Sequence, residues 1–151
     1  MTEIKQKLTT SAAATINLGS LANAAGRGST AIDNSSTLAL EADIMVKIRT
    51  SSSGVSTSGY LDIYLIRSED GSTYDDGFGG SDAAFTPVNA TKIGSMMATA
   101  VSTNYIGVFN TAVAGMLPRK FCIGVVNKTG AALDANAGQH AVTYTLKTLQ
   151  S

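Results

Sequence analysis

The sequence predicts an all-β protein, an antiparallel β-sandwich with a jelly-roll-like winding, in which seven or eight short strands are joined by long loops. The first observation is a long alternation of apolar and polar side chains between Thr37 and Arg49. The second is the composition, since Ala, Ser, Thr and Gly together make up nearly half of the 151 residues. Such residues are typical of sheets with small-residue loops, whereas helical proteins carry more Glu, Lys and Leu.

The alternation predicts the strand around which the domain is organised. Its apolar positions share one parity: Leu38, Leu40, Ala42, Ile44, Val46 and Ile48. Its charged positions share the other: Glu41, Asp43, Lys47 and Arg49. Successive side chains leave a strand on opposite sides, so one face is buried and the other is wet, whereas a helix would scatter the charges among the apolar positions. We expect the charged face to be solvent-exposed or the polar rim of a contact.

The remaining strands are predicted from the same period of two and from turn signals between them. They cover residues 12–18, 60–67, 105–113, 119–127 and 140–149. The run at 119–127 is apolar on both faces, which indicates a central strand covered on both sides. Residues 92–101 fit strand and helix spacing; a strand is favoured and a helix stays open.

Length and terminal composition predict one domain preceded by an arm. A chain of 151 residues suits a single domain, and we assign the β-sandwich to residues 12–151. Residues 1–11 are polar, with Ile4 and Leu8 as their apolar anchors. We expect this N-terminal arm to be mobile in the free protein and to order when a partner buries those two side chains.

The charge balance argues against two classes of partner. Eleven Lys and Arg residues balance eleven Asp and Glu residues, and only 15% of the chain is charged. Nucleic acids and anionic membranes both require a positive field, so neither is expected as a partner. The chain shows no signal peptide and no long apolar run, and we therefore expect it to be made in the cytoplasm and to stay soluble.

The segment between Arg67 and Lys92 is the most distinctive surface candidate. It contains no basic residue, and its acidic loop at 69–82 is rich in Asp and Gly. A connection this long is usually functional or disordered. Its spacing does not match a calcium-binding loop, although a cation site there stays open. Together with Ile4 and Leu8, the candidate interaction residues are Asp75, Asp76, Phe78, Asp82 and Phe85.

The inventory of chemical groups predicts no enzyme, no cofactor and no metal site. His140 is the only histidine and Cys122 the only cysteine, so structural zinc lacks ligands. No nucleophile elbow or phosphate-binding loop occurs, and Cys122 lies in an apolar run that favours a buried thiol. Tyrosines at 60, 64, 74 and 105 suggest sugar stacking as an alternative, although packing is the commoner role of such residues.

Three segments carry a resemblance to a known group of proteins. They are Gly26–Asn34, Ser68–Tyr74 and Phe121–Gly130, with the sequences GRGSTAIDN, SEDGSTY and FCIGVVNKTG. At these turns and strands the chain resembles small structural proteins of tailed bacteriophages, the β-sandwich or jelly-roll capsid decoration (cement) proteins and related virion proteins. The resemblance spans about residues 18–146.

The resemblance implies a function without catalysis. It implies a decoration protein that binds the outer surface of a phage capsid and stabilises it, with the major capsid protein as partner and a homotrimer as the favoured assembly. The expected location is then the virion. The alternative is a carbohydrate- or receptor-binding module of a phage tail or fibre.

Overall fold

The computed structural model describes residues 3–150 and contains two antiparallel sheets packed face to face, so the predicted β-sandwich is confirmed. Residues 3–150 form eleven strands, in place of the seven or eight expected, because several are only two to four residues long. They are β1 (Lys5–Leu8), β2 (Ala12–Ala13), β3 (Gly26–Gly28), β4 (Ile32–Asp33), β5 (Glu41–Arg49), β6 (Tyr60–Ser68), β7 (Ala83–Ala84), β8 (Thr91–Met97), β9 (Asn104–Asn110), β10 (Lys120–Lys128) and β11 (Ala141–Gln150).

The strands divide between two sheets. Sheet one has the order β1-β11-β5-β9, and β2 also pairs with β11. Sheet two has the order β7-β3-β10-β6-β8, and β4 also pairs with β10. Among the six long strands, β6 and β8 are neighbours in one sheet, and the other four connections pass from one sheet to the other. Short 3-10 helices lie at 75–77, 111–114 and 137–139.

Strand β5 confirms the alternation over most of its length. Ala42, Ile44, Val46 and Ile48 are fully buried, and the charged positions between them are partly exposed. The strand begins at Glu41, and the leucines at 38 and 40 are exposed instead of buried. The physical reason is a tight turn, in which Leu38 has a left-handed φ of 52°. The Asn34 side-chain amide donates to the carbonyl of Ala39 and accepts from its backbone N–H.

Strands β6 and β10 form the centre of sheet two. Phe121, Ile123 and Val125 face the core between the sheets, whereas Cys122 and Val126 face a second, smaller apolar cluster. Both faces of β10 are therefore covered, as its sequence predicts. Asn127 is fully buried there, and its amide bonds the carbonyls of Leu21 and Ala131, which anchors two loops to the strand end.

Residues 91–97 are a strand, so the helix alternative is excluded. Strand β8 pairs with β6, and the register shifts between Ile63 and Tyr64, which marks a bulge. The strand predicted at 12–18 is shorter than expected and covers only Ala12–Ala13. Within residues 3–150, no helix is long and apolar enough to cross a membrane.

The N-terminal segment differs from the expected mobile arm. Strand β1 pairs with β11 in register from Lys5 opposite Gln150 to Leu8 opposite Lys147. Backbone pairing at the edge of sheet one therefore holds residues 5–8, although all four side chains are exposed. Ile4 and Leu8 stay 71% and 56% exposed, so this strand is held by its ladder and not by a buried apolar anchor.

Candidate interaction surfaces

Two carboxylates of the acidic loop bond backbone groups within the same connection between β6 and β8. Asp76 accepts from the backbone N–H groups of residues 88, 89 and 90 at 2.6 to 3.0 Å. Desolvation works to raise the pKa of Asp76, but these three donors together lower it. Asp70 accepts from the backbone of Ser72 and Thr73, and those bonds hold its pKa below the usual range. The side chains of Asp70 and Asp76 therefore hold backbone segments of the connection between β6 and β8 together.

Asp75 and Asp82 connect the same segment to neighbouring strands. The Asp75 carboxylate accepts from the backbone N–H of Arg67 at 3.0 Å. The Asp82 carboxylate accepts from Arg27 Nε at 2.6 Å and from the backbone N–H of Asn17 at 3.1 Å. Of the predicted interaction residues, the three aspartates therefore hold the loop in place.

Phe78 and Phe85 are not surface residues, which corrects their assignment as interaction candidates. They are 8% and 4% exposed and meet edge-to-face with ring centroids 5.9 Å apart. The long connection folds over the outer face of sheet two, and their rings fill the space above Cys122 and Val126. Glycine permits this approach at Gly28, where a Cβ would overlap the Phe78 ring.

The two candidate reactive residues both have partners within the fold. His140 Nδ1 accepts from the backbone N–H of Arg49 at 3.3 Å, and its Nε2 lies 2.9 Å from the carbonyl of Asp134, so both ring nitrogens have partners. Cys122 is fully buried, and desolvation raises the pKa of its thiol to about 12. Among residues 3–150, no three His, Cys, Asp or Glu side chains are grouped closely enough to hold a metal ion.

The tyrosines do not form an exposed stacking platform. All five lie in the described part of the chain, and each is buried or half-buried. Tyr64 packs edge-on against a buried phenylalanine ring, and the Tyr105 hydroxyl accepts from two backbone N–H groups in the turn before β9. The observation that favoured sugar binding therefore finds no support in the geometry.

The sequence did not predict an apolar groove at one end of the sandwich. A cleft of about 350 Å³ adjoins a second of about 400 Å³, and Leu40 and Met116 line both. Leu38 and Leu149 add further exposed apolar surface, one in each cleft. We call these four residues and the space between them the end groove. The sequence held no signal for it, since Leu38 and Leu40 continue the apolar parity of Ala42 to Ile48 and were expected to be buried.

The charges that border the first cleft of the end groove, beside β1, are neutralised internally. Lys147 lies between two carboxylates of β5, with Nζ 3.4 Å from Glu41 and 3.0 Å from Asp43. The hydrogen bond to Asp43 raises the pKa of Lys147. Gln6 of β1 lines the same cleft and bonds Glu41 at 3.3 Å, so the edge strand forms one wall. The groove therefore offers apolar contact area beside paired charges in its first cleft, and the exposed Arg119 lines the second.

Neither a family model nor a curated protein matches this chain.

Proposed function

We propose that this chain is a non-enzymatic structural protein of a virion, a capsid decoration protein that binds the outer surface of a phage capsid. The resemblance at Gly26–Asn34, Ser68–Tyr74 and Phe121–Gly130 supports this proposal. The state of the candidate reactive groups is consistent with it, because His140 and Cys122 are both used for packing or backbone bonding.

The observation that carries the proposal is the end groove. Exposed apolar side chains that lie together on a soluble domain mark sites of protein contact, whereas single ones need no explanation. Leu40 and Met116 join two clefts into one surface, and the charges that line the first cleft, Glu41 and Lys147, are already paired with each other. Burying the first cleft against a protein costs little desolvation of unpaired charge. The major capsid protein is the proposed occupant.

The location is tested by a mass-spectrometric protein inventory of purified particles of the phage that encodes this chain. We expect the chain at a copy number comparable to that of capsid subunits, and immunogold labelling spread over the shell. Particles without the chain, or labelling confined to the tail, would overturn the capsid assignment.

The groove is tested by adding purified variants back to particles that lack the chain. Met116→Asp and Leu40→Asp place a charge in the contact and are expected to weaken binding roughly tenfold or more. Val88→Asp is the matched control, since Val88 is 77% exposed and lies outside the groove. Equal binding by all three variants would exclude the end groove as the capsid contact.

A further inference from the structure

Strand β9 is an edge strand of sheet one, and its backbone is paired with another strand on one side only. It pairs with β5 in unbroken register from Asn104 opposite Arg49 to Asn110 opposite Asp43. In the described part of the chain, no backbone group of residues 104–110 bonds any other segment. A strand paired on one side only presents a row of free N–H and C=O groups on the other.

The other three sheet edges carry features that discourage strand addition. Edge β1 carries Lys5 and Lys7, edge β8 carries Lys92 and a bulged pairing, and edge β7 is two residues long. Lysines, bulges and short lengths are the usual means by which proteins protect sheet edges. Strand β9 is seven residues long and contains no charged residue and no proline.

The sequence of β9 reads almost the same in both directions. Asn104-Tyr105-Ile106-Gly107-Val108-Phe109-Asn110 has Gly107 at its centre, flanked by two β-branched residues, two aromatic residues and two asparagines. An antiparallel strand related by a two-fold axis at the glycine meets its own sequence in reverse. Each residue then faces one of its own chemical kind, which is what a self-complementary two-fold contact requires.

The outward side chains of β9 are also placed for such a contact. Ile106 and Val108 are 62% and 65% exposed on the outer face of sheet one. On β5 they lie opposite Lys47 and Met45. In the two-fold arrangement Ile106 of one copy is directly opposite Val108 of the other on the same face, and cross-strand pairs of β-branched residues stabilise a sheet.

We propose that β9 pairs antiparallel with β9 of a second copy of this chain, with the two-fold axis at Gly107, so that the two five-stranded sheets become one. The near-palindromic sequence favours a second copy over the strand of an unrelated partner, which need not match it. The inference does not depend on the virion assignment. It produces a dimer, and so differs from the homotrimer that the resemblance implies.

Charge-swapped variants of the purified full chain test the pairing. The double variant I106K/V108K sets lysine opposite lysine across the axis, and I106E/V108E sets glutamate opposite glutamate. Analytical ultracentrifugation over a concentration series should give a mass near twice 15.5 kDa for the unsubstituted chain and a monomer for each double variant. An equimolar mixture of the two should restore the dimer, because lysine then faces glutamate.

The same ultracentrifugation experiment includes a control variant and the outcomes that would contradict the pairing. Val88→Lys adds the same charge to an exposed side chain away from β9 and should leave the dimer intact. The restored mixture shows that the double variants are folded. A monomer at every concentration, a mass near three times 15.5 kDa, or a dimer that both double variants retain would each overturn the proposal.

Discussion

Phe109 of β9 covers Gly94 of β8 so closely that a Cβ atom on residue 94 would overlap its ring. The glycine lies beside the bulge of β8, and the ring fills the space between the edges of the two sheets. The absence of one methyl group at position 94 thus allows an aromatic side chain to close the sandwich at this side.

Gly94→Ala is expected to destabilise the protein by about 1–3 kcal/mol, because the ring must move from a well-packed position. Urea denaturation measures this change in the free energy of unfolding. Gly79→Ala is the control, since the nearest atom to a Cβ there is 4.0 Å away, and we expect it to stay within about 0.5 kcal/mol of the original. Equal stability of the two variants would contradict the contact.

Phe85→Ala tests whether the long connection is anchored by a second apolar cluster. Since Phe85 is 4% exposed, its truncation should cost about 3–5 kcal/mol of stability. Val88→Ala, three residues further along and 77% exposed, should change stability by no more than about 0.5 kcal/mol. Thermal or urea unfolding of both variants makes the comparison. A small effect at position 85 would return Phe85 to the list of surface candidates.

Asp76 should make stability depend on pH in the acid range. Its folded pKa lies below the ordinary aspartate value of 3.8, so its contribution to stability is present above pH 3.8 and is lost as pH falls through the folded pKa. Asp76→Asn cannot accept all three backbone donors and should cost about 1–3 kcal/mol at neutral pH.

The free energies of unfolding of the original chain and Asp76→Asn should therefore converge when measured down to about pH 2. Glu69→Gln replaces an exposed carboxylate in the same loop and serves as the control. If the difference in the free energy of unfolding between the two chains does not change with pH, then Asp76 acts through its shape and not through its charge.

Cys122 should resist thiol reagents while the protein is folded. Burial raises the pKa of its thiol to about 12, and the thiolate is the reactive form. Labelling with iodoacetamide should be slow in buffer and complete in denaturant, with a native rate that follows unfolding. Fast labelling of the native chain would contradict the packing of β10 under the second cluster.

The sequence by itself determined the layered β architecture and most of its long strands. A period of two is a local property, and it predicts which side chains of β5 are buried wherever the sandwich is closed. The apolar runs of β6 and β10 likewise indicate central strands, because both faces of such a strand require cover. The alternation predicted that the strand begins near Leu38, whereas β5 begins at Glu41. The Asn34 side chain stabilises a turn before it, and alternation of apolar residues does not reveal such a turn.

Only the tertiary structure decided which loop and edge residues are available for binding. Phe78 lies in a glycine-rich, acidic segment that is typical of a surface loop, and Phe85 follows it, yet the loop folds back over sheet two and both rings are buried. Residues 5–8 have weak local preferences, and their pairing with β11 depends on a strand more than 130 residues away. The end groove and the free edge of β9 arise in the same way. They are made by distant segments brought together, and contacts between distant segments leave no period in the sequence.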